Sequence, residues 1–164
     1  MEATTIDKTS PPTGPIPRDE LIAVLNELLE AERAGAKVAL ESARDAGDPA
    51  TAQLLEAIRE DEARWCAMLL RHIKALQGAA SPRIGAFHGK AMAIADLKER
   101  LTFLNRGQGW VVRKLREVTP RVRDEALLAD LSHMLSSHVA NINLTNSALA
   151  HGTATGGTPP NTSP

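Results

Sequence analysis

Apolar residues recur every three or four positions through four long stretches of the chain, and one polar residue near the middle of each stretch interrupts the stripe. In the first, Leu21, Leu25, Leu28, Gly35 and Ala39 share a face with Glu32, while Glu27 and Glu30 point elsewhere. In the second, Leu55, Ile58, Trp65 and Leu69 share a face with Glu62. The third carries Gln108 among Leu97, Leu101, Leu104, Val111 and Leu115; the fourth carries His138 among Leu131, Leu135, Ile142 and Leu149. This period predicts four amphipathic helices with one inward polar group each.

Punctuation residues set the boundaries. Pro17 suits the first turn of a helix that Gly47 stops, and Asp48-Pro49 caps and opens the second only one residue later. Helices one and two therefore form a tight antiparallel hairpin. Residues 77–90 hold Gly78, Ser81-Pro82, Gly85 and Gly89 and read as an open connection. Fully extended it reaches ~45 Å, long enough to cross the bundle lengthwise. A third helix is expected from about Ala91 to Glu117, and a fourth begins between Thr119-Pro120 and Asp124. The expected organisation is a disordered tail over residues 1–16, one all-α bundle over 17–151, and a second disordered tail over 152–164, because both ends are rich in Thr, Pro, Ser or Gly and lack apolar period.

Composition narrows the function classes. With 43% hydrophobic and 2% aromatic residues the core is built from aliphatic side chains. Nineteen Lys and Arg against twenty Asp and Glu leave no net field to draw nucleic acid or an acidic membrane. Arg100, Arg106, Arg113 and Arg116 cluster on the third helix without an aromatic series, so a solvated face is expected and nucleic acid is not an expected partner. No apolar run approaches the ~20 residues that span a bilayer, so no membrane role is expected. The lone Cys66 and the absence of a signal-like apolar segment point to the cytoplasm. Cys66 has no His at catalytic helical spacing and is expected to pack.

The four polar residues carry the chemistry. Burying an unpaired carboxylate costs several kcal/mol, so Glu32, Glu62, Gln108 and His138, at similar heights in their helices, are expected to face one another, a metal or a small polar ligand. His72 lies ~15 Å from Glu62 along its helix and belongs to a different level. Gly107 and Gly109 flank Gln108 at roughly 1 kcal/mol each relative to Ala, which implies close helix approach or a π-bulge. Gly35 and Gly109 are expected to make room for the Trp65 ring, and Trp65, Gly35, Gly109 and Leu135 are expected to line the site.

Two helical hairpins joined by a long connection, with Leu25-Asn26-Glu27-Leu28-Leu29-Glu30-Ala31-Glu32 and Glu60-Asp61-Glu62-Ala63-Arg64-Trp65, resemble the ferritin-like superfamily, in particular small rubrerythrin-type bundles and a functionally unassigned bacterial branch of them. That resemblance implies a four-helix bundle of two antiparallel hairpins with a long crossover. It also implies a two-metal site built from a Glu on the first and third helices and Glu-x-x-His on the second and fourth. The match is partial: Trp65 stands for one His, Gln108 for the third-helix Glu, and Leu135 for the Glu three residues before His138.

Two carboxylates are too few to offset the repulsion between two close divalent ions. One reading is thus a bundle whose di-metal site has decayed, without cofactor, in which Gln108 and His138 satisfy Glu32 and Glu62, acting as a binding or assembly protein that self-associates or meets a protein partner. The other is a metal-dependent oxidoreductase with one iron or other divalent transition-metal ion at Glu32, Glu62, Gln108 and His138. The residues leave open whether the chain is an enzyme.

Overall fold

The computed structural model describes residues 14–154; most of each expected tail lies outside that span. Its helices are α1 (Arg18–Asp45), α2 (Pro49–Ala75), α3 (Phe87–Met92), α4 (Leu97–Val118) and α5 (Glu125–Ala154), with a 3-10 turn at Thr119–Arg121. Helix α5 runs past Gly152, three residues beyond the expected end of the bundle. Residues 14–16 are pinned to the far hairpin: the Ile16 N–H donates to Arg121 O at 3.0 Å, and Arg121 Nε donates to Gly14 O at 3.2 Å.

The Asp48 carboxylate accepts from the Thr51 N–H at 2.8 Å and caps α2, as its sequence signal predicts. At its other end α2 closes in a Schellman motif: Gln77 takes a positive φ of 58°, its N–H reaches Lys74 O, and the Gly78 N–H reaches Ile73 O. A Cβ on Gly78 would stand 2.9 Å from Ile22 Cγ2, so the glycine permits the chain to turn tightly against α1.

From that turn the connection climbs the length of α1. Arg18 Nε donates to Leu76 O at 2.9 Å, Asn26 Nδ2 to Ala79 O at 2.9 Å and Arg33 Nη1 to Arg83 O at 3.0 Å, and His88 meets Glu41 at 3.0 Å. Successively later residues of α1 thus hold successively later residues of the connection. It runs parallel to α1, and α4 begins at the end of the bundle where α1 stops. Helices α1 and α5 consequently point one way, α2 and α4 the other, with α1 beside α2 and α4, and α5 beside α4 and α2.

The third long helix starts at Leu97 rather than Ala91. Ala91 lies in α3, a short helix most of which falls inside the segment that reads as an open connection, and the helical path is interrupted before Asp96, whose carboxylate accepts from the Glu99 N–H at 3.0 Å. Capping decided the boundary over apolar period.

Arg100 locks α4 to the end of α1. It is 5% exposed, and its guanidinium donates to Asp45 Oδ2 at 2.7 Å, Ser42 Oγ at 3.3 Å and Ile94 O at 2.9 Å. Arg100→Ala leaves the Ser42 hydroxyl and the Ile94 carbonyl without that donor, so a loss of about 2 kcal/mol is expected in urea unfolding.

The apolar core is divided in two. Leu25, Leu28, Trp65, Leu69, Leu115 and Leu131 pack toward one end; Val38, Leu55, Ile58, Leu101 and Leu104 pack toward the other. Glu32, Glu62, Gln108 and His138 occupy intermediate positions along the same helices, between the two clusters.

Candidate metal centre

Each polar interruption of the sequence pattern is inside. Glu32 is 1% exposed, Glu62 4%, Gln108 3% and His138 1%. One donor atom each from Glu32, Glu62 and His138 lies within 4.8 Å of the other two, and His138 Nε2 stands 3.0 Å from Glu32 Oε1. The other ring nitrogen, Nδ1, is 2.9 Å from Met134 O. A carbonyl only accepts, so Nδ1 carries a proton and Nε2 is aimed at Glu32 with a single proton between them, on the imidazole or on the acid. A backbone carbonyl holding Nδ1–H while Nε2 is presented inward is how metal-binding histidines are oriented.

Burial pushes the Glu62 carboxyl well above its ordinary 4.5, and the charges of Glu32 and Asp61 push it the same way. Burial opposes charging of His138, but the Glu32 carboxylate and its hydrogen bond, with the Met134 carbonyl, outweigh it and raise the imidazole above 6.5. Burial also lifts the Cys66 thiol to about 12, helped by Glu32 and Glu62. It stays protonated and is no nucleophile, in keeping with a packing role.

Hydrogen bonding closes only part of this layer. Glu32 Oε2, Glu62 Oε2 and both Nε2 and Oε1 of Gln108 are buried without a partner. In a metal-free arrangement satisfied from within, Gln108 would take up a carboxylate oxygen; here its amide makes no such bond, and His138 satisfies Glu32 on one oxygen alone. Each buried orphan costs about 1–3 kcal/mol, and native interiors hold few of them.

A cavity of about 310 Å³ lies beside the layer, under the crossover and between α1 and α4. Glu32, Glu62 and Gln108 line it, together with Gly35, Ile84 and Phe87. Glu27 and Glu30, which the helical period turns elsewhere, line it as well, as does Trp110, 38% exposed. The lining does not include Trp65, Gly109 or Leu135. Trp65 packs in the core cluster of Leu25, Leu28 and Leu69 with its indole edge-on to His133, ring centroids 5.2 Å apart, and Leu135 packs against the same cluster.

The glycines serve other neighbours than expected. A Cβ on Gly35 would fall 2.5 Å from Glu62 Oε1, so this glycine makes room for a carboxylate and not for Trp65. On Gly107 it would meet Phe87 Cζ at 2.7 Å; Gly107 receives the crossover's aromatic ring, which stacks on Phe103 with centroids 4.9 Å apart. Gly109 would meet only Arg113 Nη1, at 3.5 Å, and α4 continues through it as α-helix, without a π-bulge. Ile84 and Phe87 reach the cavity from outside the four long periodic stretches. Their one signal was two large apolar side chains in a connection otherwise rich in Gly, Ser and Pro.

The donor set fits one ion. Two carboxylates balance a single divalent charge, a neutral imidazole completes a three-ligand set, and the orphaned oxygens of Glu32 and Glu62 are free to coordinate. It does not fit two, since Leu135 and Trp65 bring no donor atom where the resemblance has ligands and Gln108 brings no charge.

A bundle of two antiparallel hairpins with a lengthwise crossover and a polar layer at mid-height is a ferritin-like fold. A family model described as "Domain of unknown function (DUF6306)" matches residues 19–147, and the chain belongs to that family. A solved structure from Anabaena variabilis ATCC 29413, a two-domain protein containing DJ-1/ThiJ/PfpI-like and ferritin-like domains, superposes with a TM-score of 0.70 at 13% identity. The alignment covers 100% of this chain and 48% of that one, so the chain spans about half of that neighbour, and what they share is fold. No curated protein matches the chain. Among the described residues no helix is long and apolar enough to cross a membrane.

Proposed function

We propose that this chain is a ferritin-like binding protein that holds a single divalent transition-metal ion between Glu32, Glu62 and His138. The observation that carries this reading is the convergence of three donor atoms within 4.8 Å in a buried layer where both carboxylates keep an oxygen without a partner. Oxygen-rich donors with one imidazole favour iron(II) or manganese(II), ions available in the reducing compartment that the lone cysteine suggests. Such an ion supplies Lewis-acid or one-electron chemistry when bound. The chain's own residues do the rest: Met134 O orients His138, Gly35 leaves room for the Glu62 carboxylate, and Ile84 and Phe87 give the adjoining cavity apolar walls.

Protein purified without chelator, or loaded anaerobically with iron(II), is expected to carry about one ion per chain by elemental analysis. Glu62→Ala is expected to lower affinity more than about 100-fold. Protein that takes up no transition metal on loading overturns this reading in favour of a metal-free binding or assembly protein, for which the Trp65 ring packed in the core is the supporting observation.

A further inference from the structure

Gln108 lines the cavity at 3% exposure with neither atom of its amide engaged. A carboxamide offers donors and an acceptor side by side, so the group that satisfies it presents the same pair in reverse. The cavity around it selects further. Its ionisable lining is Glu27, Glu30, Glu32 and Glu62, with no cationic side chain among the described residues that line it, which disfavours an anion. An ammonium finds its counter-charges at the rim rather than beside Gln108, and there Lys114 already pairs with Glu27 at 2.8 Å while one Glu30 oxygen is taken by the Ser81 hydroxyl. The remaining walls include Ala31, Ile84, Phe87, Leu104 and Val111. At about 310 Å³ the space sits at the small end of the range for organic ligands.

We propose that the cavity binds a small uncharged molecule, an apolar body ending in a carboxamide-type donor–acceptor pair, and that Gln108 is the residue that reads that end. The inference rests on the metal reading in one respect: Glu32 and Glu62 are committed to the ion, which leaves Gln108 to the ligand. Where related bundles carry a carboxylate, this chain carries a neutral amide, and the exchange turns a metal ligand into a specificity determinant.

Benzamide, benzoate and benzylamine, titrated by calorimetry into the full-length protein loaded with manganese(II) and into protein stripped by chelator, test this. Benzamide is expected to bind saturably, with benzoate and benzylamine at least about tenfold weaker. Gln108→Leu is expected to weaken benzamide about tenfold with manganese content unchanged and the melting temperature of the ligand-free protein not lowered; Gln108→Met, closer in shape, serves if the leucine variant does not fold. Absence of saturable benzamide binding, equal binding by the folded variant, or preference for benzylamine overturns the inference. Benzamide binding by protein that takes up no manganese on loading removes the metal reading and leaves this one standing, and manganese uptake without benzamide binding does the reverse.

Discussion

Gly35→Ala is expected to abolish metal retention while leaving the fold intact. In the interior of α1, alanine is favoured over glycine by about 1 kcal/mol, so the substitution on a neutral surface raises stability. Here the new methyl falls 2.5 Å from Glu62 Oε1 and 2.8 Å from Glu62 Cδ, distances a methyl carbon does not sustain. The obstructing group is the far end of a flexible side chain, so the clash is relieved by rotating the carboxylate and not by parting the helices. That rotation takes Glu62 out of reach of Glu32 and His138. Metal affinity is expected to fall more than about 100-fold, as for loss of the ligand itself, with the melting temperature within a few degrees of the chelator-stripped parent; elemental analysis and a thermal melt on one sample read both. Gly109→Ala is the matched control. Its methyl meets only Arg113 Nη1 at 3.5 Å, so the expected result is a gain of about 0.5–1 kcal/mol and unaltered metal content. Metal retained by the Gly35 variant contradicts the site as described.

These two glycines also mark where sequence reasoning succeeds and where it stops. The inward positions of Glu32, Glu62, Gln108 and His138 were legible because helical period fixes which face a residue occupies, and burial of that face follows from the apolar residues above and below it. The lengthwise crossover was legible from the reach of residues 77–90. Neither argument says which side chain on a neighbouring helix meets a given position, because that depends on the rotation of each helix about its axis. Pattern alone therefore pairs Gly35 with Trp65, the bulkiest side chain of the four stripes, whereas its neighbour is Glu62. The cavity escaped for a related reason. Ile84 and Phe87 sit in a segment whose period is broken by Gly85 and Gly89, and only the hydrogen bonds from α1 that lay this segment along the bundle bring them over the polar layer. The start of α4 at Leu97 was readable from Asp96 and Glu99, a cap signal that apolar period at Ala91 obscured.

Metal-free and metal-loaded protein are expected to respond to pH in opposite directions. Without metal, the folded state holds a proton on Glu62, whose pKa burial raises well above 4.5, and holds the Glu32–His138 proton above the ordinary 6.5 of the imidazole. Over that range the folded chain binds more protons than the unfolded one, so the stability these groups contribute is full at low pH and is lost as pH rises through their folded values. The carboxyls held low, Asp130 by its hydrogen bond to His72, Asp48 by the Thr51 N–H, and Glu20 and Glu56 by hydrogen bonds from Arg121 and Arg59, act only below about pH 5 and leave this window alone. The melting temperature of chelator-stripped protein is therefore expected to fall between about pH 5 and 8. Binding of a divalent ion displaces both protons, because Glu62 coordinates as carboxylate and Nε2 as a bare lone pair. Affinity is then expected to climb about 100-fold per pH unit below the folded values of the two groups, and the loaded protein to melt higher at pH 8 than at pH 5. Differential scanning fluorimetry of stripped and manganese-loaded samples across this range reads both trends at once. His138→Leu removes the shared proton, so its stripped form is expected to lose the part of the slope due to the imidazole, while the part due to Glu62 remains. Parallel slopes for stripped and loaded wild-type protein are incompatible with an ion that takes the place of these protons.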